Sequence, residues 1–269
     1  MSDTQRRLIR TSVTLGRDAE RAGDVLATSI RGDLEAARRE IAGRLVDLDP
    51  SWQRGQLETL LGEVERQLRG WETATILGLN GQQTQIAGRA MTLVTAALRD
   101  AGVSGGAHPA LAAKLLQRAH EHSAVNIRDV ATEVIRKVDT TLRRAAVGGV
   151  DPVQAMKDLG KVVGKGAFAT ANDRAEAIVR TEMTSIAQGA ADDTIRDFAT
   201  TIDGLQKQWI AVIDDRTRPS HIEADQQIVD VDDTFSVGDD ELDYPGDPDG
   251  SPEETINCRC VSSPYHEDW

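Results

Sequence analysis

Aromatic residues are scarce in this chain of 269 residues, where Phe, Trp and Tyr together make up 3% of the composition. A large globular core usually contains more of them, so the composition favours slender helical packing built from Ala, Leu, Val and Ile. The sequence also lacks an apolar run of about 18 residues, the length that a membrane span needs. The first residues have no apolar segment after their charges, which argues against a secretory signal.

Cysteine is scarce as well, since only Cys258 and Cys260 are present and a single residue separates them. Two cysteines this close form a disulfide only with strain. One pair is also too few for the disulfide framework of a small secreted protein. We therefore expect a protein that is made in a reducing cytoplasm, or that is assembled there into a particle.

Basic residues are scarce in one region, the last 64 residues. From residue 206 onward there are 17 Asp and Glu but 4 Lys and Arg, a net charge of −13, whereas the preceding residues hold 27 of each sign. A surface this acidic repels phosphates, so we expect no strong nucleic-acid binding by this region. The acidic excess either keeps the surface solvated, or docks on a basic protein face, or tolerates packed DNA by repelling it.

Residues 1–205 have the apolar periodicity of helices. The pattern predicts amphipathic helices over Ser51–Leu79, about Gln85–Asp100, about Ala110–Ala146 and Asn172–Thr201, with a shorter helix from Pro152 to Leu159 that Asp151 caps and a connector over residues 160–168. Trp52 and Trp71 lie at opposite ends of one apolar stripe. We interpret them as core residues or as anchors for a partner.

The character of the sequence changes after Gly204, because five of the eight prolines and five of the nine aromatic residues follow it. This shift predicts a domain boundary. Short strands are expected at Lys207–Ile213, Gln227–Val231 and Thr234–Val237, and a loop at residues 243–253. The predicted fold is therefore mostly α, with an elongated helical region over residues 1–205 followed by a small irregular α+β module over residues 206–269.

Several short polar motifs occur in a fixed order in the second half of the chain. They are Arg180-Thr181-Glu182 on a helix, Trp209, Asp214-Asp215-Arg216-Thr217-Arg218 with His221, Phe235, Tyr244-Pro245-Gly246-Asp247-Pro248, and Asn257-Cys258-Arg259-Cys260. In this order they resemble the phage Mu protein F-like, or head morphogenesis, family over about residues 170–262. The family shows a glycine after the Asp or Asn that follows the histidine, whereas here Gln226 follows Asp225. We therefore expect a different turn at that point.

The resemblance implies a minor head protein of a tailed bacteriophage, with a structural role in capsid assembly and in genome packaging and delivery. It implies a few copies inside the head near the portal, in contact with the portal protein, the major capsid protein or the scaffold. The protein would be assembled in the host cytoplasm and would then reside in the virion.

His221, Cys258 and Cys260 supply three ligands of the kind that zinc prefers. A fourth ligand is expected from Asp214, Asp215, Asp225 or His266. A structural zinc would help so polar a module to fold, because the binding energy of the metal becomes folding energy. Alternatively, the cysteines are small packing residues and His221 is a hydrogen-bonded core residue, since the C-x-C spacing is not that of a zinc knuckle. No other cofactor is expected.

The charged residues of the motifs also allow other roles. The arginines are expected to pair with carboxylates inside the module, and either Arg180 or Glu182 is expected to pack against it, because residues two apart face different sides of a helix. Asp214 and Asp215 follow a predicted strand, where either catalytic or turn-forming aspartates occur.

An enzyme is the alternative to a structural protein. His221-Ile222-Glu223 is similar to the H-x-E of zinc deaminases, but the cysteine spacing is one residue short and the proline is absent. A metal-dependent hydrolase or a toxin-like enzyme would need an open cleft where Asp214, Asp215 or His221 converge. We find no phosphate-binding loop and no Ser–His–Asp arrangement. The sequence therefore predicts a non-enzymatic structural protein.

Overall fold

The computed structural model describes residues 1–46, 54–105, 109–146 and 152–269. It is 71% helical, with long helices in the N-terminal region and short strands and helices near the C-terminus, which confirms the predicted fold class. The helices are α1 (Asp3–Val46), α2 (Arg54–Asp100), α3 (Pro109–Ala146), α4 (Pro152–Lys161), α5 (Ala167–Ala199), α6 (Pro219–Glu223) and α7 (Pro252–Thr255). The strands are β1 (Gln206–Ile210), β2 (Ile228–Asp230), β3 (Phe235–Val237), β4 (Asp240–Leu242) and β5 (Val261–Tyr265).

Helix α2 runs without interruption through the region where the sequence predicts two helices with a break after Leu79. The predicted break was wrong. Gly81 lies in this region, and a glycine inside a helix costs about 1 kcal/mol relative to alanine. The burial of the apolar side chains of Leu79 and Ile86 on either side of it outweighs that cost. Trp52 and the predicted cap Asp151 lie outside the described residues.

The predicted connector over residues 160–168 is also helical. A π-helical turn at Val162–Gly166 joins α4 to α5, and the Ala167 N–H donates to the Val162 carbonyl. The glycines predicted a break, but Val163 and Phe168 are buried and hold the segment in place. A π turn accommodates one extra residue within a continuous helix, so the segment stays helical.

The chain divides into two compact units that do not follow the ends of the helices. Unit 1 comprises Met1–Asp24, Asn80–Glu121 and Val179–Trp269, and unit 2 comprises Val25–Leu79 and His122–Ile178. Helices α1, α2, α3 and α5 therefore contribute residues to both units. The predicted boundary after residue 205 marks the change from long helices to short strands, and as a domain boundary it stays a prediction. Within the described residues, no helix combines the length and the apolar character needed to cross a membrane.

Unit 2 contains Trp71 as a core residue, which is one of the two roles that the sequence left open. Its ring is 4% exposed, and its Nε1–H donates to the Ile30 carbonyl at 3.2 Å. Unit 2 also contains polar contacts. For example, Asn172 Nδ2 donates to Glu35 Oε1 at 3.2 Å.

Unit 1 is organised around the second half of α5. Buried residues occur there on nearly every side, among them Val179, Glu182, Met183, Ile186, Ala187, Gln188, Ala190, Ala191, Asp192, Ile195 and Phe198. A helix that is buried all round lies inside a protein and not on its surface. Several of these residues are polar, so the surrounding segments must provide hydrogen-bond partners for them.

The short strands of unit 1 form two antiparallel sheets. One has the order β2-β1-β5, with Trp209 opposite Ser262, and the other is the pair β3-β4. The predicted strands β1, β2 and β3 are present, although β1 ends at Ile210 because the Ala211 N–H donates to Asp225 Oδ1. The strands β4 and β5 and the helices α6 and α7 were not predicted. Helix α7 begins inside the predicted loop at Pro252.

Lys207 of β1 is fully buried. Its Nζ donates to Asp192 Oδ1 of α5 at 3.2 Å and to the Asp243 carbonyl at 2.8 Å, and it lies 5.4 Å from the centre of the Phe235 ring. The pKa of Asp192 is raised, because the effect of burial exceeds the opposing effect of Lys207 and Arg196. The carboxyl therefore needs these cationic partners to remain in the core.

We expect Lys207→Ala to lower the free energy of unfolding by about 3–5 kcal/mol, because it removes one partner of a buried pair and leaves Asp192 in place. Urea unfolding followed by circular dichroism would measure the loss. Lys161→Ala is the matched control, since Lys161 pairs with Asp158 on the surface and should unfold like the parent chain. Equal stabilities of the two variants would contradict the prediction.

Candidate functional site

The Asp-x-Arg-Thr motif forms a turn directly after β1. Asp214 Oδ1 accepts the Arg216 N–H at 2.9 Å, and the Asp214 N–H donates to Thr217 Oγ1 at 2.9 Å. The Thr217 hydroxyl donates in turn to the Val212 carbonyl. Short side chains that bond to nearby backbone groups stabilise turns of this kind. The arrangement places Asp214 in the turn-forming role.

Asp214 also connects this turn to the Asn-Cys-Arg-Cys motif. Both terminal nitrogens of Arg259 donate to its carboxylate at 2.6 Å, in the paired geometry that makes such contacts strong. The Arg259 contacts, with the Arg216 N–H, hold the pKa of Asp214 well below its usual range. Arg218 donates to the Ile256 carbonyl at 2.5 Å, close to the same motif. Two motifs that are about 40 residues apart in the sequence therefore meet here.

His221 lies on the short helix α6 and meets both cysteines. Its Nδ1 is 3.3 Å from Cys260 Sγ and 3.7 Å from Cys258 Sγ. The three ligand atoms all lie within 4.8 Å of one another. Each of the three residues is 2% exposed. The structure thus brings together the three residues that the sequence proposed as zinc ligands.

The two thiols affect each other's proton affinity. The pKa of Cys260 is lowered because Cys258 donates a hydrogen bond to its sulfur and His221 lies beside it. The pKa of Cys258 is raised by the same hydrogen bond and by burial. Of the two, Cys260 is therefore the thiol that loses its proton first.

Glu254 of α7 completes the surroundings of His221, and sequence reasoning did not identify it. Its Oε2 lies 2.9 Å from His221 Nε2 and accepts the Ser220 hydroxyl at 2.8 Å. A Cβ atom at Gly238 would lie 2.6 Å from Glu254 Oε1, so the absence of a side chain there makes room for the carboxylate. Glu254 is one of several acidic residues in the module, and its sequence neighbours do not distinguish it from the others.

Trp209 and Phe235 form the core beside the cluster. The rings of Trp209 and His221 pack edge to face at 5.7 Å, and those of Trp209 and Phe235 at 5.3 Å. The same core contains Ala224, Val237, Leu242, Cys258 and Cys260. Edge-to-face packing stabilises aromatic pairs beyond the area that they bury.

The Tyr-Pro-Gly-Asp-Pro motif is a turn that packs on α5. Asp247 Oδ2 accepts the Asp243 N–H at 2.9 Å and Oδ1 accepts the Asp249 N–H at 3.0 Å. Gly246 has a φ of +79°, which favours glycine. The α5 side of this contact is also a glycine, because a Cβ at Gly189 would lie 3.1 Å from Tyr244 Cζ.

The Arg-Thr-Glu motif of α5 contacts the module through its middle residue. Thr181 Oγ1 accepts the Asn257 N–H at 3.0 Å, and Asn257 has a φ of +55°, a value that asparagine tolerates. Arg180 donates to Asp24 of α1 at 2.8 Å. Glu182 is buried, and Gln83 of α2 donates to it at 3.5 Å. About two turns further along α5, Gln188 Oε1 accepts the Ser262 N–H at 3.0 Å.

The residues proposed as a fourth zinc ligand do not join the cluster among the residues that the structure describes. Asp214 bonds to Arg259, and Asp225 accepts the Ala211 N–H. His266 Nε2 lies 3.0 Å from the Asp203 carbonyl, and Asp215 is exposed. A cavity of about 240 Å³ lies beside β1, and its lining includes Ile210, Val212, Arg259 and Val261 but none of the cluster residues or aspartates just named.

Gln226 occupies the position where the sequence departs from the family pattern. Its φ is +68°, in the left-handed region that favours glycine. Its Oε1 accepts a hydrogen bond from Gln208 Nε2 at 3.0 Å, and its N–H donates to the Trp209 carbonyl at 2.9 Å. The turn therefore adopts the backbone conformation that a glycine would favour, with a side chain that bonds to β1.

We expect Gln226→Gly to be more stable than Gln226→Ala by about 1 kcal/mol, because both lose the side-chain bond but only alanine is strained at positive φ. Thermal unfolding of the two variants would measure the difference. The order should reverse at Ser236, an exposed position of β3, where glycine costs more chain entropy than alanine. The same order at both positions would contradict the assignment of the strain.

Asp214 should make stability depend on acidity. Because its pKa is lowered in the folded chain, its contribution is present above the unfolded-state pKa of about 3.9 and is lost as the pH falls below that value. We expect Asp214→Asn to unfold at a lower temperature than the parent at pH 7, and to lose less stability than the parent below about pH 4. Asp215→Asn, at the neighbouring exposed position, is the control and should follow the parent at both pH values.

Residues 135–263 match the family described as Phage Mu protein F like protein. The match confirms the family resemblance predicted from the motifs, and it begins before them, within α3. The family suggests a phage head morphogenesis protein. No curated protein and no solved structure matches the chain.

Proposed function

We propose, from the match of residues 135–263 to the Phage Mu protein F like family, that this chain is a minor head protein of a tailed bacteriophage with a structural, non-enzymatic role. It is placed inside the capsid at the portal, where it serves head assembly and the packaging and delivery of the genome. The family match is the observation that carries this proposal, and the placement at the portal is the part that the experiments below address.

The arrangement of the motifs supports a structural role. An enzyme needs reactive groups that converge on open space. Here His221, Cys258 and Cys260 are buried, and Asp214 is held by Arg259 and by its own turn. Several motif residues bond to one another or to α5, as Arg259 does with Asp214 and Asn257 with Thr181, and such contacts make an irregular module rigid.

The charge of the module suggests which kind of surface it meets. The region from residue 206 onward has a net charge of −13, and exposed acidic residues include Asp233, Asp239 and Glu253. Acidic surfaces associate with basic protein faces and are repelled by DNA. We infer that the module contacts a basic face of the portal protein or of the major capsid protein, and that it does not bind the packaged genome.

We expect the purified full-length chain to bind the portal or major capsid protein of its own phage in a pull-down. A triple variant, Asp233→Asn, Asp239→Asn and Glu253→Gln, should bind several-fold more weakly at low salt, and the difference should shrink as salt screens the charges. The matched control is Asp33→Asn, Glu40→Gln and Asp129→Asn, which removes three exposed acidic charges from the helices and should leave binding unchanged.

The proposal can also be tested in the phage itself. We expect the chain in purified virions by mass spectrometry, and we expect heads made without it to be fewer or less infectious. Absence of the chain from virions, with no binding to either shell protein, would overturn the proposal. Turnover of a peptide or nucleotide substrate that Asp214→Asn or His221→Ala abolishes would favour the metal-dependent hydrolase instead.

A further inference from the structure

The two nitrogen–sulfur distances within the cluster of His221, Cys258 and Cys260 suit a metal site. Zinc binds imidazole nitrogen at about 2.0 Å and thiolate sulfur at about 2.3 Å, so a tetrahedral angle separates the two ligand atoms by about 3.6 Å. His221 Nδ1 lies 3.3 Å and 3.7 Å from the two sulfurs. Both separations lie within about 0.3 Å of that value.

His221 Nδ1 does not form a good hydrogen bond to both sulfurs at once. An imidazole nitrogen has either one proton or one lone pair, so it can form one good hydrogen bond at a time. Here two buried sulfurs lie 3.3 Å and 3.7 Å from the same nitrogen. A cation at the centre of the three atoms would satisfy all of them at once.

Glu254 sets the form of His221 that such a cation requires. A carboxylate accepts hydrogen bonds, so the 2.9 Å contact calls for a ring proton on Nε2, and in the neutral ring this leaves the lone pair of Nδ1 toward the sulfurs. Ser220 donates to the same carboxylate oxygen and fixes its position. A metal-binding histidine usually donates its other N–H to a carboxylate in this way.

We propose that His221, Cys258 and Cys260 bind one zinc ion that stabilises the fold of the module, with Glu254 as the outer partner that orients His221. Among the described residues no fourth His, Cys, Asp or Glu joins the three, so a water molecule or a backbone carbonyl completes the tetrahedron. The ion ties α6 to the segment that precedes β5. The proposal concerns folding and does not depend on the function in the phage head.

The same residues also resemble a catalytic arrangement, and the test distinguishes that arrangement from a metal site. Cys260, His221 and Glu254 are in the order of a cysteine nucleophile, its base and an orienting carboxylate. That chemistry needs a thiol that a substrate can reach, and Cys260 is 2% exposed. A catalytic arrangement of this kind also does not need a second thiol, that of Cys258, beside the same nitrogen. The buried second thiol therefore favours the metal.

The test measures metal on the full-length chain, purified with a reductant from cells grown with added Zn²⁺. We expect about one zinc per chain for the parent, and loss of the metal in His221→Ala, Cys258→Ser and Cys260→Ser. Glu254→Ala should bind zinc about 10–100-fold more weakly. His266→Ala is the matched control, because His266 lies outside the cluster and should retain one zinc.

Measurements on the parent chain alone test the proposal even if a variant fails to fold. Co²⁺ in place of zinc should give the absorption of thiolate-to-cobalt charge transfer, and zinc should slow the reaction of both thiols with a maleimide. Removing zinc with a chelator should lower the melting temperature, and Zn²⁺ should restore it.

A parent chain without zinc, whose melting temperature and thiol reactivity do not respond to added Zn²⁺, would overturn the proposal. So would rapid, selective alkylation of Cys260 in the native chain with or without Zn²⁺, which is the behaviour of a nucleophile.

Discussion

The burial of one positive charge constrains the rest of unit 1. Lys207 has no access to water, so its ammonium group must find its partners inside the protein, and it finds them in Asp192 of α5, the Asp243 carbonyl and the Phe235 ring. These three partners come from the helix, the loop after β4 and the strand β3. The Lys207 side chain therefore fixes the position of β1 relative to both α5 and the sheet β3-β4.

Helix α5 also holds the following segments through uncharged residues. Thr181 and Gln188 accept backbone N–H groups of the module, and Gly189 leaves space for the Tyr244 ring. Irregular segments carry many backbone donors that no sheet satisfies, and each one left unpaired in the core would cost stability. The polar positions of α5 are thus the reason that loops with few apolar residues can be ordered. The Asp214–Arg259 and His221–Cys260 contacts connect the segment between β1 and β2 to the segment before β5.

The sequence predicts the long helical segments and the first three strands, apart from the false break in α2, because periodicity and turn residues are local signals. It also placed His221, Cys258 and Cys260 together, since their chemistry suggests a common ligand. Glu254, Lys207 and Gln188 could not be selected, because their roles depend on which residues lie opposite them in space. The strand Asp240–Leu242 was missed for a related reason: it is acidic and three residues long, and its pairing with β3 comes from the turn at Gly238.

The order of pairing within the three-stranded sheet has a consequence for how the protein is made. The central strand β1 is bordered on one side by β5, which is synthesised about 50 residues later. Unit 1 also combines the start of α1 with α2 and with everything after residue 179. Contacts between such distant segments form slowly, and they form only after the distant residues have left the ribosome. During synthesis Gln188 of α5 therefore has no Ser262 N–H to accept until the strand β5 is available.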